Sequence, residues 1–160
     1  MLPKINRILY ACDLNDKTQP ALELVMTLAL AHQAQVIIMH SMEPLSAQAT
    51  NMIYNYVSEE TSQKMREEAE KSIEESMQEE LDRFMDTNKA ELDTLSTPPE
   101  TLVVHGVPAD SIEKTAISKD ADIIVMNSRT HSRLGQFIIG STANKVIHHS
   151  KIPVLVVPIK

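Results

Sequence analysis

The chain has few of the residues on which many binding sites depend. It contains three glycines, one cysteine, no tryptophan and only 3% aromatic residues in a length of 160. This low aromatic content argues against a surface on which nucleic-acid bases stack. The single cysteine, Cys12, excludes an internal disulfide and a cysteine-rich metal site. One thiol also fits a reducing compartment, where disulfides are rare.

The composition is acidic, with a net charge of −7 and a pI near 5.3. Nucleic acids and anionic membranes both repel an acidic surface, so neither is expected as a partner. The sequence shows no signal-peptide pattern and no apolar stretch long enough to cross a membrane. We therefore expect a soluble, cytoplasmic protein, folded as a single domain over residues 1–160.

Short apolar runs alternate with helical patterns along the chain. Strands are predicted at Ile5–Cys12, Gln35–Ser41, Glu100–His105, Ala121–Met126 and Ile152–Val157. Helices are predicted between them at Thr18–His32, Ser58–Asp86, Asp110–Lys119 and Gly140–His149. Because the strands are almost continuously apolar, they indicate a parallel sheet covered by helices on both faces.

Two stretches between the second and third strands fit this alternation less simply. Residues Met42–Val57 show no clear period and are predicted to be a loop. Their apolar cluster, Met52–Tyr56, is interpreted as a satellite core, with a partner contact or a lid as alternatives. The long helix is interpreted as a solvated acidic face over a buried stripe that contains Met65, Ala69, Ile73, Met77, Leu81 and Phe84 or Met85.

The predicted sheet brings polar residues to one edge, because ligands of parallel sheets bind at the carboxyl ends of the strands. Cys12–Asp13, His40–Ser41 and Met126–Thr130 are placed there. The last helix begins at Gly140, where Ser141 or Thr142 could cap it while free N–H groups face outward. Such a helix start favours phosphate, although an ordinary helix cap has the same sequence.

Several of these positions have more than one chemical interpretation. The basic residues Arg129, His131 and Arg133 could hold phosphate oxygens, or they could lie in a solvated loop. Asp13 could accept hydrogen bonds from a base or a ribose, cap the next helix, or be a phosphate acceptor. No nucleophile elbow, P-loop or metal-ligand spacing is present. The sequence therefore predicts neither a catalytic residue nor a metal site.

Several segments in order carry a family resemblance. They are ILYACD at Ile8–Asp13, IIMHSME at Ile37–Glu43, GVPADSI at Gly106–Ile112, ADIIVMNSR at Ala121–Arg129, and Gly140–Ser141 followed by PVLVV at Pro153–Val157. In these segments the chain resembles the universal stress protein family, over essentially its whole length.

The resemblance implies a fold, an assembly and a ligand. The implied fold is a single α/β domain with an open parallel five-stranded sheet of order 3-2-1-4-5, Rossmann-like and similar to the adenine nucleotide alpha hydrolases. The implied assembly is a homodimer through the last strand, Ile152–Val157. An apolar strand at a sheet edge also favours such pairing, since it would otherwise be an aggregation hazard. The implied cofactor is ATP or AMP.

The nucleotide-binding members of the family carry the motif G-x-x-G, nine residues, then G-[ST]. The corresponding residues here are Asn127, Thr130, Gly140 and Ser141, so the spacing is kept but the first two glycines are replaced. Asn tolerates positive φ, whereas β-branched Thr does not. The resulting candidate contacts are Cys12, Asp13, Ser41, Met126, Asn127, Arg129, Thr130, Gly140, Ser141 and Thr142, with Cys12 and Met126 on the base side.

Three functional hypotheses follow, in this order. The first is a dimeric stress-response protein that binds ATP or AMP without rapid turnover, because the sequence offers no general base. The second is a nucleotide-free interaction module of the same fold, acting through its dimer surface and residues Met42–Val57 on an unidentified protein. The third is a slow ATPase, or a protein that phosphorylates itself at Ser141 or Thr142.

Overall fold

The computed structural model describes residues 1–13, 19–128 and 139–158. Within these ranges, five parallel strands form one sheet in the order β3-β2-β1-β4-β5. The order confirms the predicted topology and places β5 at a sheet edge. The strands are β1 (Arg7–Ala11), β2 (Gln35–Met42), β3 (Glu100–His105), β4 (Ile123–Ser128) and β5 (Val154–Pro158).

Helices occupy the connections between the strands in the described ranges. They are α1 (Gln19–His32), α2 (Ala47–Tyr56), α3 (Glu59–Thr87), α4 (Lys89–Leu92), α5 (Pro108–Ser118) and α6 (Ser141–His149). Pro108 is the first residue of α5, where a backbone N–H would have no hydrogen-bond partner within the helix, so the absence of that group in proline costs no helical bond. No described helix combines the length and apolar character that a membrane span requires.

The core lies on both faces of the sheet, as the apolar strands predict. Ile8 and Tyr10 of β1 face a layer formed with α1 and the second half of α3, whereas Leu9 faces a layer formed with α5 and α6. All three side chains are almost completely buried. Because successive strand residues point to opposite faces, a strand buried on both sides reads as a continuous apolar run.

The register aligns the carboxyl ends of three neighbouring strands. Ala11 at the end of β1 lies opposite Met39 of β2 and Met126 of β4. One residue further, the backbone N–H of Cys12 donates to the Met39 carbonyl at 2.8 Å. The residues that follow these strands therefore meet at one edge of the sheet.

The prediction of a loop over Met42–Val57 is wrong, because the stretch contains α2. The hydroxyl of Ser46 caps this helix by accepting from the Ala49 N–H at 3.1 Å. None of its residues is buried, so it has no core-facing stripe to give a helical period. Met52 and Tyr56 are 65% and 85% exposed. The interpretation of Met52–Tyr56 as a satellite core is therefore also wrong.

The buried stripe predicted for the long helix is correct only in the second half of α3. Met77 and Leu81 are buried, but Met65 is 57% exposed and Ala69 is exposed. The reason is length: α3 has 29 residues, about 44 Å, and β3 has six, about 20 Å. The first part of α3 therefore extends past the sheet.

Candidate functional site

A cleft of about 480 Å³ opens at the carboxyl edge of the sheet. It lies between the ends of β1, β2 and β4 and the first turns of α5 and α6. Eight of the ten predicted contacts line it, namely Cys12, Asp13, Ser41, Met126, Asn127, Gly140, Ser141 and Thr142. The other two, Arg129 and Thr130, lie outside the described residues, as do His131 and Arg133.

The wall formed by β1 and β2 is fixed by hydrogen bonds to the backbone of Cys12. Its N–H bonds to β2, and its carbonyl lies 3.0 Å from Nδ1 of His40. A carbonyl can only accept, so Nδ1 is the donor in this contact. His40 was placed at this edge by the sequence, but its role in holding the backbone was not anticipated. The contact positions the segment that carries the Asp13 carboxylate into the cleft.

Ser41 contributes less to the cleft than its hydroxyl group suggests. Its Oγ donates to the Gly106 carbonyl at 3.1 Å, so a ligand could use only the oxygen lone pairs. The N–H of Gly106 in turn donates to the Met42 carbonyl at 3.0 Å. These two bonds join the end of β2 to the turn that follows β3.

The turn after β3 requires glycine at position 106. Its φ is +144°, a conformation that residues with a side chain rarely adopt. A Cβ atom there would also lie 2.6 Å from the hydroxyl oxygen of Ser111. The turn leads directly to Pro108 at the start of α5, and Pro108 lines the cleft.

Asn127 replaces the first glycine of the family motif, and its side chain is oriented by Tyr10. The Tyr10 hydroxyl donates to Oδ1 of Asn127 at 2.7 Å. Burial is the main cause that raises the pKa of Tyr10, and Cys12 beside it adds to the effect, so the phenol stays protonated as a donor. Since Oδ1 accepts this bond, the Asn127 NH₂ group carries donors that make no hydrogen bond within the described residues.

The start of α6 supplies backbone donors to the cleft. Gly140 occupies the N-cap with φ −58° and ψ 158°, so the expectation that Ser141 or Thr142 caps the helix is wrong. The first bond of the helix runs from the Asn144 N–H to the Gly140 carbonyl at 2.9 Å. The N–H groups of residues 141–143 precede that bond and have no partner within the helix. Together with the helix dipole, they favour an anion.

Eight residues that line the cleft were not among those identified from the sequence: Ala11, Met39, Met42, Glu43, Ile73, Pro108, Ile112 and Ala143. Pro108 could have been found, because it follows the carboxyl end of a predicted strand and begins a predicted helix. Glu43 could have been found on the same ground, as it follows β2. Ile73 had no such signal, because only the packing of α3 brings it to this edge. Within the described ranges, no group of His, Cys, Asp or Glu is placed to hold a metal ion.

The geometry of this edge agrees with the family resemblance. A match to a family model establishes to which family the chain belongs. The model of the universal stress protein family matches residues 4–158. The chain belongs to the universal stress protein family. A curated universal stress protein of Thermus aquaticus is 30% identical over 152 residues, which cover 94% of this chain and 96% of that protein.

Solved structures of universal stress proteins share the fold. The protein UspA from Lactobacillus plantarum superposes with a TM-score of 0.70 at 22% identity, covering 98% of this chain and 99% of that one. A universal stress protein crystallised in complex with cAMP superposes with a TM-score of 0.60 at 21% identity, covering 99% and 100% of the two chains. At these identities the likeness establishes the Rossmann-like architecture of the chain.

Proposed function

We propose that this universal stress protein binds an adenine nucleotide, ATP or AMP, in the cleft at the carboxyl edge of the sheet. One observation carries the proposal: the segment of Asp13 lines the same cleft as the N–H groups at the start of α6, which have no partner within the helix. A carboxylate accepts hydrogen bonds from ribose hydroxyls, and a helix N-terminus binds phosphate. The two ends of a nucleotide thus have complementary groups within one cleft.

The size and lining of the cleft suit a nucleotide. Its volume of about 480 Å³ falls in the range of small-molecule sites. Ile112 and Met126 give it an apolar part for a base, and the Asn127 amide adds donors for an oxygen of the ligand. The complex of a family member with cAMP supports an adenine nucleotide as the ligand class.

Calorimetric titration with ATP and AMP tests the proposal. Substitutions at Ser141 measure the contribution of a backbone N–H group separately from that of the side chain. Ser141→Pro removes the first N–H of α6 at the position where proline is best tolerated, and Gly140 before it is already extended. We expect this variant to weaken nucleotide binding about tenfold, the effect of one lost charge-assisted bond. Ser141→Ala keeps the N–H and should bind within about threefold of wild type.

Asp13→Asn tests the other end of the ligand. We expect weaker binding of ATP and AMP, because an amide accepts hydrogen bonds less strongly than a carboxylate. Mass spectrometry of the denatured protein should also release adenine nucleotide that purified with it. No carried nucleotide, together with no binding at millimolar ATP or AMP, would overturn the proposed function.

We further propose that the nucleotide is held without rapid turnover. The Ser41 hydroxyl, which could have acted on a bound phosphate, donates to the Gly106 carbonyl instead. Labelled ATP should then remain largely intact over many binding lifetimes. Release of phosphate at typical enzymatic rates, at or above about 1 s⁻¹, would show instead that the protein is an ATPase. A phosphoprotein that disappears in Ser141→Ala/Thr142→Ala would support self-phosphorylation.

The homodimer through the last strand is also a proposal. It is supported by the position of β5, Val154–Pro158, at an edge of the sheet. Pro153 accepts from the Ile124 N–H, so by alternation the N–H groups of Val154 and Val156 point to the open edge. A second copy of the strand would satisfy these donors.

Sedimentation at micromolar concentration tests this dimer with a matched pair of variants. Val156→Pro removes an N–H on the open edge without removing a bond to β4, and we expect it to be monomeric. Val156→Ala keeps the N–H and should remain dimeric. A monomeric wild type, or a Val156→Pro variant that is still dimeric, would contradict the proposal.

A further inference from the structure

A helical hairpin projects from the domain beside the cleft. We call it the α2–α3 arm, and it consists of α2 and residues 59–69 of α3. Two side-chain contacts show how α3 runs along β3: Thr101 contacts Gln78 at 3.4 Å, and His105 contacts Glu70 at 2.8 Å. His105 ends the strand, so residues 59–69 continue beyond the sheet for about 16 Å.

The arm exposes large apolar side chains. Met52 and Tyr56 are four residues apart, so they share one face of α2, and Tyr54 and Met65 are more than half exposed. Helix α2 contains no charged residue. The contact between the two helices uses different residues, since Ile53 of α2 and Ser62 of α3 are shielded. The chain therefore keeps an apolar face on solvent after its own helices have packed.

The helix against which α2 packs is strongly negative. Helix α3 contains eleven acidic and four basic residues, so its net charge of −7 equals that of the whole chain. Eight of the acidic residues and only one basic residue fall in residues 67–82. By helical spacing, Glu68, Glu75 and Glu79 share the face turned away from the core. The carboxylates thus continue from the arm along the outer side of α3.

We propose that the α2–α3 arm is a docking surface for a basic amphipathic helix of another protein. Its apolar side chains would cover Met52 and Tyr56, and its Lys or Arg side chains would face the carboxylates of α3. A second copy of this chain would bring the same acidic helix against itself, and an anionic membrane would meet the same repulsion. The charge therefore selects a basic partner, and the proposal does not depend on the nucleotide site.

A set of labelled peptides tests the surface on the full chain. The first is a helix of Leu and Lys of about 18 residues, with Leu on one face. The second has the same composition in scrambled order, and the third carries Glu in place of Lys. By fluorescence anisotropy we expect only the first to bind tightly, at micromolar concentration, and to weaken as salt is added.

Two variants locate the binding. Met52→Gln/Tyr56→Gln removes the apolar face, and Glu68→Gln/Glu75→Gln/Glu79→Gln removes three charges, both with a residue that favours helix. We expect each to weaken the first peptide by about tenfold or more. The matched controls are Leu24→Gln/Ile117→Gln, and Glu23→Gln/Glu91→Gln/Glu113→Gln on three other helices. Both controls should bind within about twofold of wild type.

Several outcomes would overturn the proposal. They are the absence of binding of the first peptide at about 100 µM, equal binding of the scrambled peptide, and variants of the arm that bind as tightly as their controls. Sedimentation provides a separate check on the occupant. If Met52→Gln/Tyr56→Gln changes the oligomeric state of the protein, the arm is covered by a second copy and the proposal is wrong.

Discussion

The carboxyl edge of the sheet and the α2–α3 arm lie side by side but differ in where they place their apolar residues. At the sheet edge, Met39 and Met126 are buried and the polar groups of the cleft are fixed by backbone contacts. On the arm, Met52 and Tyr56 face solvent. Substitutions should therefore change stability at the sheet edge and change association at the arm.

The largest expected effect separates the buried sheet from the exposed arm. Ile124→Ala in β4 removes a fully buried side chain, and we expect it to lower the free energy of unfolding by about 2–5 kcal/mol. Met52→Ala on the arm should change it by no more than about 0.5 kcal/mol. Denaturant unfolding measures both. If Ile124→Ala does not fold, Ile124→Val should still cost about 0.5–1.5 kcal/mol. Equal losses of unfolding free energy at Ile124 and Met52 would contradict the difference between the buried sheet and the exposed arm.

The turn at Gly106 should give the next largest effect. We expect Gly106→Ala to cost about 1–3 kcal/mol, because it combines an unfavourable φ with a contact to Ser111. Combining it with Ser111→Ala removes the contacting hydroxyl and should recover only part of the loss. Ser111→Ala alone is the control that completes the cycle. A Gly106→Ala protein as stable as wild type would show that the turn rearranges freely.

The hydrogen bond from Tyr10 to Asn127, a residue that lines the cleft, can be tested by substitution. Tyr10→Phe should lower the free energy of unfolding by about 1 kcal/mol at neutral pH, because the Asn127 carbonyl oxygen loses its donor. Tyr56→Phe on the arm removes an exposed hydroxyl and should leave that energy unchanged. Both variants can be measured by denaturant unfolding, and equal effects would contradict the assigned hydrogen bond.

The raised pKa of Tyr10 makes the free energy of unfolding depend on pH, with a defined sign. The contribution of Tyr10 to stability is complete below the ordinary pKa near 10, since the phenol is then protonated in both the folded and unfolded states. At higher pH only the unfolded state releases the proton, so wild-type stability should fall by up to about 1.4 kcal/mol per pH unit. Tyr10→Phe should lack this component. If the free energy of unfolding falls equally with pH above 10 in the wild type and in Tyr10→Phe, this prediction is wrong.

The smallest effect is expected where α3 meets the end of the sheet. Glu70 contacts Nε2 of His105 at 2.8 Å, but the pair is partly exposed, so Glu70→Gln should cost less than about 1 kcal/mol. Hydrogen exchange is the more sensitive measurement. We expect faster exchange in residues 59–69, and no such change in Glu74→Gln. Unchanged exchange in both would show that the arm is held in place by other contacts.

The sequence predicted the sheet well and the arm poorly, for the same physical reason. The strands are apolar because they are buried on both faces, so Ile37 and Ile124 lie where their pattern placed them. Helix α2 buries none of its residues, and its pattern therefore carries no period to detect. Met65 matched the spacing of a buried stripe, but spacing does not reveal that α3 is longer than the strand it packs on.

The residues of the cleft were likewise predicted only in part. The rule that ligands bind at the carboxyl ends of parallel strands placed Cys12, Asp13 and Ser41 correctly, because strand ends can be read from the chain. The contact between Tyr10 and Asn127 could not be read in this way. It depends on the pairing of β1 with β4, which are more than a hundred residues apart. The N-cap at Gly140 was also misassigned, since Ser and Thr are the commoner caps.

The sequence by itself determined the alternation of strands and helices, the order of the sheet through the family resemblance, and the residues at the strand ends. Only the tertiary structure decided how those residues are used. It turned the Ser41 hydroxyl toward Gly106, oriented the Asn127 amide through Tyr10, and left Met52 and Tyr56 on the surface. Periodicity records which residues are buried within one element, whereas these outcomes depend on which elements meet and where one of them ends.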